Sequence, residues 1–406
     1  MSQGGTSLRR RLTTIALCSA LGATLLPVAM PTAATAGIRT GAQTAIVFND
    51  LSSEYNWAKL AINFVGGTNR WMRDYPKAGN GTYQFKPGAL ETRILLARAA
   101  VEAFAPTEAV DTSITFTDLD ASAPLYPYAN VAVKLGWMSA GPKGAFSGDG
   151  PVTTILLHKV LVLALGLMDT AAAIDHLHMA NGTAFATPAN LGTTLLGMRI
   201  GLRYNNSDEA KDVLPKTKLP RAQVAYSLYR AATLDSWVVP YLQAQYDDMR
   251  LPNLKPVRRE IVEWGLKYVG YPYLWGGEWG FKSAEPSALG GQPIPGFDCS
   301  GLTWWAMRAD DGGAWNVAPP RPYAGWSLPQ RASADMATVG NVSFKDLRPG
   351  DLMFYDGDGN GVVDHVDTFL GNGWALDSAG SVGGVTIMWV GDGWYRDHFV
   401  HGRHLG

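Results

Sequence analysis

The hydrophobic positions change period twice along the chain. A largely apolar stretch covers residues 12–30, directly after Arg9, Arg10 and Arg11. From about 46 to 235, apolar residues recur at helical spacing, in short runs cut by turns rich in Gly, Pro and Asp. Runs at 57–62, 92–96, 153–157 and 191–200 each read as one face of a helix. Another helical run follows at 257–269, carried by Val257, Ile261, Trp264, Leu266 and Tyr268. The period then falls to two. Residues 352–355, 366–370 and 385–389 alternate as strands do, and Gly371-Asn372-Gly373 lies between them as a hairpin turn. The pattern predicts a mainly α N-terminal part and an α+β C-terminal part.

The leading segment reads as an export signal. Three arginines precede the apolar run, and Ala34-Thr35-Ala36 supplies a small-x-small cleavage pattern. The expectation is a signal peptide over 1–36 and a secreted product. A membrane-spanning helix is the alternative, but Cys18, Ser19, Gly22 and Pro27 interrupt the run. The Arg pair leaves a twin-arginine route open. Cleavage would remove Cys18, leaving Cys299 as the mature chain's one thiol.

With 406 residues, 47% of them hydrophobic, the chain is long enough for two or three domains. Charged residues make up 17% and the formal net charge is −1. This excludes a strongly basic nucleic-acid binder and a highly charged disordered chain.

The α part reads as an internal repeat with copies at about 46–105, 114–168 and 177–235. Phe48-Asn49-Asp50-Leu51 is matched by Phe116-Thr117-Asp118-Leu119, and Thr92-Arg93-Ile94 by Thr153-Thr154-Ile155. The third copy is looser and reaches Leu219-Pro220-Arg221. One copy cannot bury its own apolar face, so the three are expected to pack together. Residues 236–255, punctuated by Pro240 and Pro252, read as a linker, with the next domain covering 256–406.

The chemistry concentrates after residue 270. Cys299 opens a helical run in Phe297-Asp298-Cys299-Ser300-Gly301-Leu302. A helix N-terminus favours a thiolate, which prepares a nucleophile. His365 begins a strand and is the candidate base. Asp377 lies equally far beyond the turn at 371, which puts it across the hairpin within about one pleat of His365. A one-residue register slip would turn it away.

The series Tyr271-Pro272-Tyr273-Leu274-Trp275-Gly276-Gly277, Phe297 to Leu302, Arg348-Pro349-Gly350-Asp351-Leu352 and His365-Val366 resembles the NlpC/p60 family of papain-like cysteine peptidases. That resemblance implies a helix carrying the cysteine packed on an antiparallel sheet carrying the histidine. It implies Cys299 as nucleophile, His365 as base and Asp377 as third polar residue. It places Tyr273 near the oxyanion and Asp298 and Ser300 along the substrate groove. It also implies cleavage of peptidoglycan stem peptides, at the D-γ-glutamyl bond to a diamino acid, without a cofactor. A non-catalytic wall-binding protein with a retired peptidase fold is one alternative, and an amidase or acyltransferase using the same thiol is another.

The chain departs from the family in two places. Residues 278–295 form a long insertion, and Asp367 replaces the family glycine after His-Val. The repeats resemble S-layer homology units, whose arginines would map to Arg93 and Arg221 and would bind an anionic wall polysaccharide. The alternative is a degenerate scaffold whose arginines are solvated or paired. Peptidoglycan, and through the repeats such a polysaccharide, are the expected partners, with no membrane contact after signal removal.

Asp356, Asp358, Asn360, Asp364 and Asp367 fall at oxygen-ligand positions of an EF-hand-like loop. Strands flank it where helices would be expected, so the run reads as an acidic hairpin turn, with Ca²⁺ as the alternative. His398, His401 and His404 read as a solvated tail, and His158, His176 and His178 as structural. Among the tryptophans, Trp304, Trp305, Trp315, Trp326 and Trp374 are assigned mainly to the core.

Overall fold

The computed structural model describes residue 46 and residues 48–287, 290–308 and 323–405, with backbone alone at 283–287, 290 and 291. The export signal, Cys18 and Trp315 lie outside the described residues.

The N-terminal unit contains α1 (Lys59–Ile62, continued by a π-turn at Asn63–Thr68), α2 (Arg93–Phe104), α3 (Tyr126–Lys134), α4 (Thr154–Ala164), α5 (Met168–Asp175), strand β1 (His178–Met179), α6 (Leu191–Ile200) and α7 (Arg221–Ala232). Three helix pairs, α1/α2, α3/α4 and α6/α7, fall within the ranges of the three sequence copies. In the first two copies one local device recurs. The Asp50 carboxylate accepts from the backbone N–H of Phe85 and Lys86, and that of Asp118 from Phe146 and Ser147. Lys86 and Ser147 both take left-handed backbone, at φ 56° and 58°. The segments leading into α2, α4 and α7 bridge one another in a closed ring: Thr92 to Pro151, Thr153 to Lys218, and Leu90 to Pro220.

Residues 236–255 correct the linker reading. They contain α8 (Val238–Tyr246) and β2 (Arg250–Leu251), which pairs in parallel with β1. Val239, Leu242, Tyr246, Met249 and Leu251 are buried. The Tyr246 hydroxyl donates to the carbonyl of Ile387 at 2.8 Å, deep in the C-terminal unit.

The C-terminal unit begins with α9 (Pro256–Leu266). The short strands β3 (Glu278–Trp279), β4 (Ser283–Ser287), β5 (Gly290–Gln292) and β6 (Gly296–Phe297) follow, then α10 (Cys299–Met307) and α11 (Ser333–Met336). Strands β7 (Leu352–Tyr355), β8 (His365–Gly371), β9 (Trp374–Ala379) and β10 (Gly384–Trp389), helix α12 (Gly393–Asp397) and β11 (Phe399–Arg403) complete it. One antiparallel sheet runs β10-β9-β8-β7-β11. The β8–β9 turn needs left-handed backbone at Gly371, Asn372 and Gly373, which two glycines and an asparagine supply.

Most of the sheet's apolar side chains join α9, α10 and the N-terminal helices in one buried cluster running from Phe48 to Leu405. The two units therefore share a core. Arg203, buried just beyond α6, donates to the carbonyls of Val213, Gly270 and Gly383 and so ties the N-terminal unit to the other. No described helix is long and apolar enough to cross a membrane.

Candidate active site

Helix α10 starts at Cys299 because Asp298 caps it: the Asp298 carboxylate accepts from the backbone N–H of Gly301. Gly301 is required there, since a Cβ would collide with the carbonyl of Gly277. The first turn of α10 thus lies against the Trp-Gly-Gly loop, and Gly276 donates its N–H to the other Asp298 oxygen at 3.0 Å.

Arg331 completes this arrangement. Its guanidinium donates to both oxygens of Asp298 (3.1 and 3.2 Å), to Ser300 Oγ (2.8 Å), to Glu278 (2.6 Å) and to the Gly277 carbonyl (3.2 Å). Burial works against its charge, but Asp298 and Glu278 hold its pKa above the ordinary arginine value. Sequence reasoning placed Asp298 and Ser300 along a substrate groove. In the structure both are buried and turned to these internal partners. Arg331 itself was missed, because a lone arginine in a loop carries no sequence signal.

Gln292 ties the two ends of the insertion together. The Gln292 amide accepts from the N–H groups of Glu278 and Trp279 and donates to the carbonyls of Trp279, Ile294 and Gly296.

His365 stands at the head of β8. Its Nε2 lies 3.1 Å from Asp377 Oδ1 and 3.1 Å from Asp367 Oδ1. Both carboxylates thus meet the ring at Nε2, on the side away from Nδ1. Burial opposes charging the ring, but Asp367, then Asp377, then Cys299 outweigh it and raise the His365 pKa well above the ordinary value. The register pairs Thr368 with Leu376, so Asp377 faces Asp367 directly and reaches His365 along the diagonal. Tyr395 on α12 donates its hydroxyl to Asp377 Oδ2 at 2.9 Å, a second partner with no sequence signal. Tyr273 is largely buried. Desolvation first, and Cys299 next, push its phenol pKa up, which keeps it a protonated donor beside the thiol.

The remaining candidates sit elsewhere. Arg221 is fully buried. It pairs with Glu91 at 2.8 Å and Asp74 at 2.6 Å and donates to the carbonyls of Phe85 and Met72. This corrects its reading as a glycan contact, because no part of it faces solvent. Arg93 is half-buried, donates to the carbonyls of Phe146 and Ser139, and lies over the Phe146 ring. The acidic loop splits. Asp356, Asp358 and Asp364 cluster together and accept backbone N–H groups of their own turn, whereas Asp367 belongs to the His365 site. In the tail, His404 bonds Asp351 and His398 stacks on Trp394. Trp304, Trp305 and Trp374 are core, Trp326 is partly buried, and His158 is fully buried.

A cysteine-headed helix and a histidine–carboxylate strand pair on an antiparallel sheet define the C-terminal unit as an α+β domain with the parts of a thiol hydrolase. Residues 270–404 match the NlpC/P60 family model, so the chain carries an NlpC/P60 domain at its C-terminal end. Over 155 residues the chain is 31% identical to the bifunctional muramidase/DL-endopeptidase CwlT of Bacillus subtilis, covering 36% of this chain and 38% of that protein. Over 260 residues it is 27% identical to the peptidoglycan endopeptidase RipB of Mycobacterium tuberculosis, covering 63% and 89%. The solved structure of RipB aligns at 26% identity over 41% of this chain and 77% of that one, with a TM-score of 0.24. The chain spans little more than a third of the length of the first curated relatives it matches.

Proposed function

We propose that the chain is a secreted, thiol-dependent peptidoglycan endopeptidase. Cys299 Sγ attacks the amide carbonyl of a stem peptide, and His365 takes the thiol proton and passes it to the leaving amine. Water, deprotonated by His365, then hydrolyses the thioester and frees Cys299. Asp377 orients the ring and stabilises its charge, and Tyr273 donates to the oxyanion. The observation that carries this reading is the conjunction of a capped helix opening on Cys299 with His365 held at Nε2 by carboxylates.

The bond proposed is the D-γ-glutamyl bond to a diamino acid. The kinship of the domain with a γ-D-glutamyl-L-lysine dipeptidyl-peptidase of B. subtilis supports it. The repeat unit, in this reading S-layer homology-like, holds the enzyme at the wall. Its buried Arg221 makes the unit's own frame, so any contact with a wall polymer runs through other residues.

The test is digestion of defined muropeptides followed by mass analysis. The wild type is expected to split the stem peptide, and Cys299→Ala to leave it whole. Digestion by Cys299→Ala at the wild-type rate overturns the thiol mechanism. Release of entire stem peptides from the sugar makes the enzyme an amidase. Tight binding to sacculi without turnover makes it a wall-binding protein.

A further inference from the structure

The proposed hydrolysis uses one carboxylate behind His365, yet the site holds two. Asp367 and Asp377 face each other across β8 and β9, each is fully buried, and each places an oxygen 3.1 Å from His365 Nε2. Among the described residues, His365 is the ion-pair partner of both. Asp367 Oδ2 and Asp377 Oδ1 are buried without a geometrically sound hydrogen-bond donor. Reacting atoms of the three side chains lie within 4.8 Å of one another. Two carboxylates this close in a dry site cannot both carry full charge, and one proton between them relieves the repulsion and supplies the missing donor.

Resting on the reading of His365 as the base, we propose that Asp367 is a positioning residue that shares one proton with Asp377, and that the two grip Nε2 together. Asp377 keeps the charge because Tyr395 already donates to it. Asp367 keeps the proton: burial drives its pKa up and Asp377 drives it further, against the pull of His365, to about 7. The other groups facing the pair are Tyr355 on β7, Tyr395 on α12 and Arg199 on α6, with Cys299 and Tyr273 beyond His365. Arg199 donates to Met388 Sδ and makes no ion pair with either carboxylate. Loss of the shared proton leaves His365 between two anions and locks it as imidazolium. It can then no longer act as the base that activates water.

The test is a ring-¹⁵N titration of His365 in the full chain, which needs no substrate. An inactive protein still gives the answer, so this inference fails separately from the proposed activity. Wild-type His365 is expected to show a step near pH 7 in addition to its own titration. In Asp367→Asn that step is expected to vanish and the ring to titrate about one pH unit lower, as the loss of one facing carboxyl requires. A single-step wild-type curve overturns the proposal whether or not the variant folds. Superimposable curves for wild type and Asp367→Asn overturn it as well, because a purely structural role leaves the titration unmoved.

Discussion

Arg331 closes on both carboxylate oxygens of Asp298, at 3.1 and 3.2 Å, from 33 residues away in the chain. The same guanidinium holds Glu278, so two buried acids depend on one cation. Arg331→Met is expected to lose about 3–5 kcal/mol in urea unfolding, the usual consequence of leaving a buried charge without its partner. Arg331→Lys keeps the charge but not the fork and is expected to fall between. Equal stability of Met variant and wild type would show that Asp298 and Glu278 find other partners.

Tyr273 has a different kind of consequence. Tyr273→Phe removes one hydroxyl and is expected to lower kcat on a muropeptide by about a hundredfold, the scale of a lost oxyanion donor. KM and the thermal midpoint are expected to change little. A fall confined to KM would move Tyr273 from transition-state stabilisation to ground-state binding.

Arg203 is a buried polar tie between the two units, and burial lowers its pKa to about 10. Arg203→Leu leaves the buried carbonyl of Gly270 without this donor, at about 1–3 kcal/mol, while that of Gly383 keeps the backbone N–H of Tyr273. The expected outcome is that calorimetry, which should show one transition in the wild type, resolves two in the variant. A single transition at the wild-type midpoint would mean that the shared core and the other polar contacts couple the units without Arg203.

His158 on α4 is buried and neutral, and Gly197 of α6 lies so near that a Cβ there would sit 2.5 Å from the ring. Burial first, and Arg203 second, depress its pKa to about 3. A depressed histidine stabilises the fold above the unfolded-state value of about 6.5, and that contribution fades as pH falls. Unfolding free energy is expected to drop by about 1.4 kcal/mol per pH unit between roughly 6 and 4 from this residue alone. His158→Gln should be less stable at pH 7 but flatter over that window, as read by urea titrations. Parallel slopes would assign the acid loss to other groups.

The placement of Cys299, His365 and Asp377 was legible because its signals are local. A cap, a cysteine and a helical run lie within ten residues, and Gly371-Asn372-Gly373 sets the hairpin that brings Asp377 back to His365. The direct opposite of Asp377 is Asp367, however, and the contact with His365 is diagonal, a difference of one pleat that symmetry about the turn does not resolve. The linker reading failed at Pro240. Proline breaks a helix only in its interior, and Pro240 stands in the first turn of α8, where no backbone donor is lost. Val239, Leu242 and Tyr246 already had helical spacing. Arg331 and Tyr395 were illegible because each acts across a long sequence separation as a single residue with no motif around it.

The passage from Val238 to Leu251, anchored by its buried apolar side chains, replaces a leash with a bracket. A flexible tether lets a tethered enzyme sweep a sphere of targets, with an effective concentration set by chain length. Here α8 and β2 are built into both units, so on the proposed reading Cys299 would stand at one height and one angle above whatever surface the N-terminal helices met. The bonds within its reach would then be set by the architecture of that surface, and shifting that reach would take a rebuilt core rather than a longer loop.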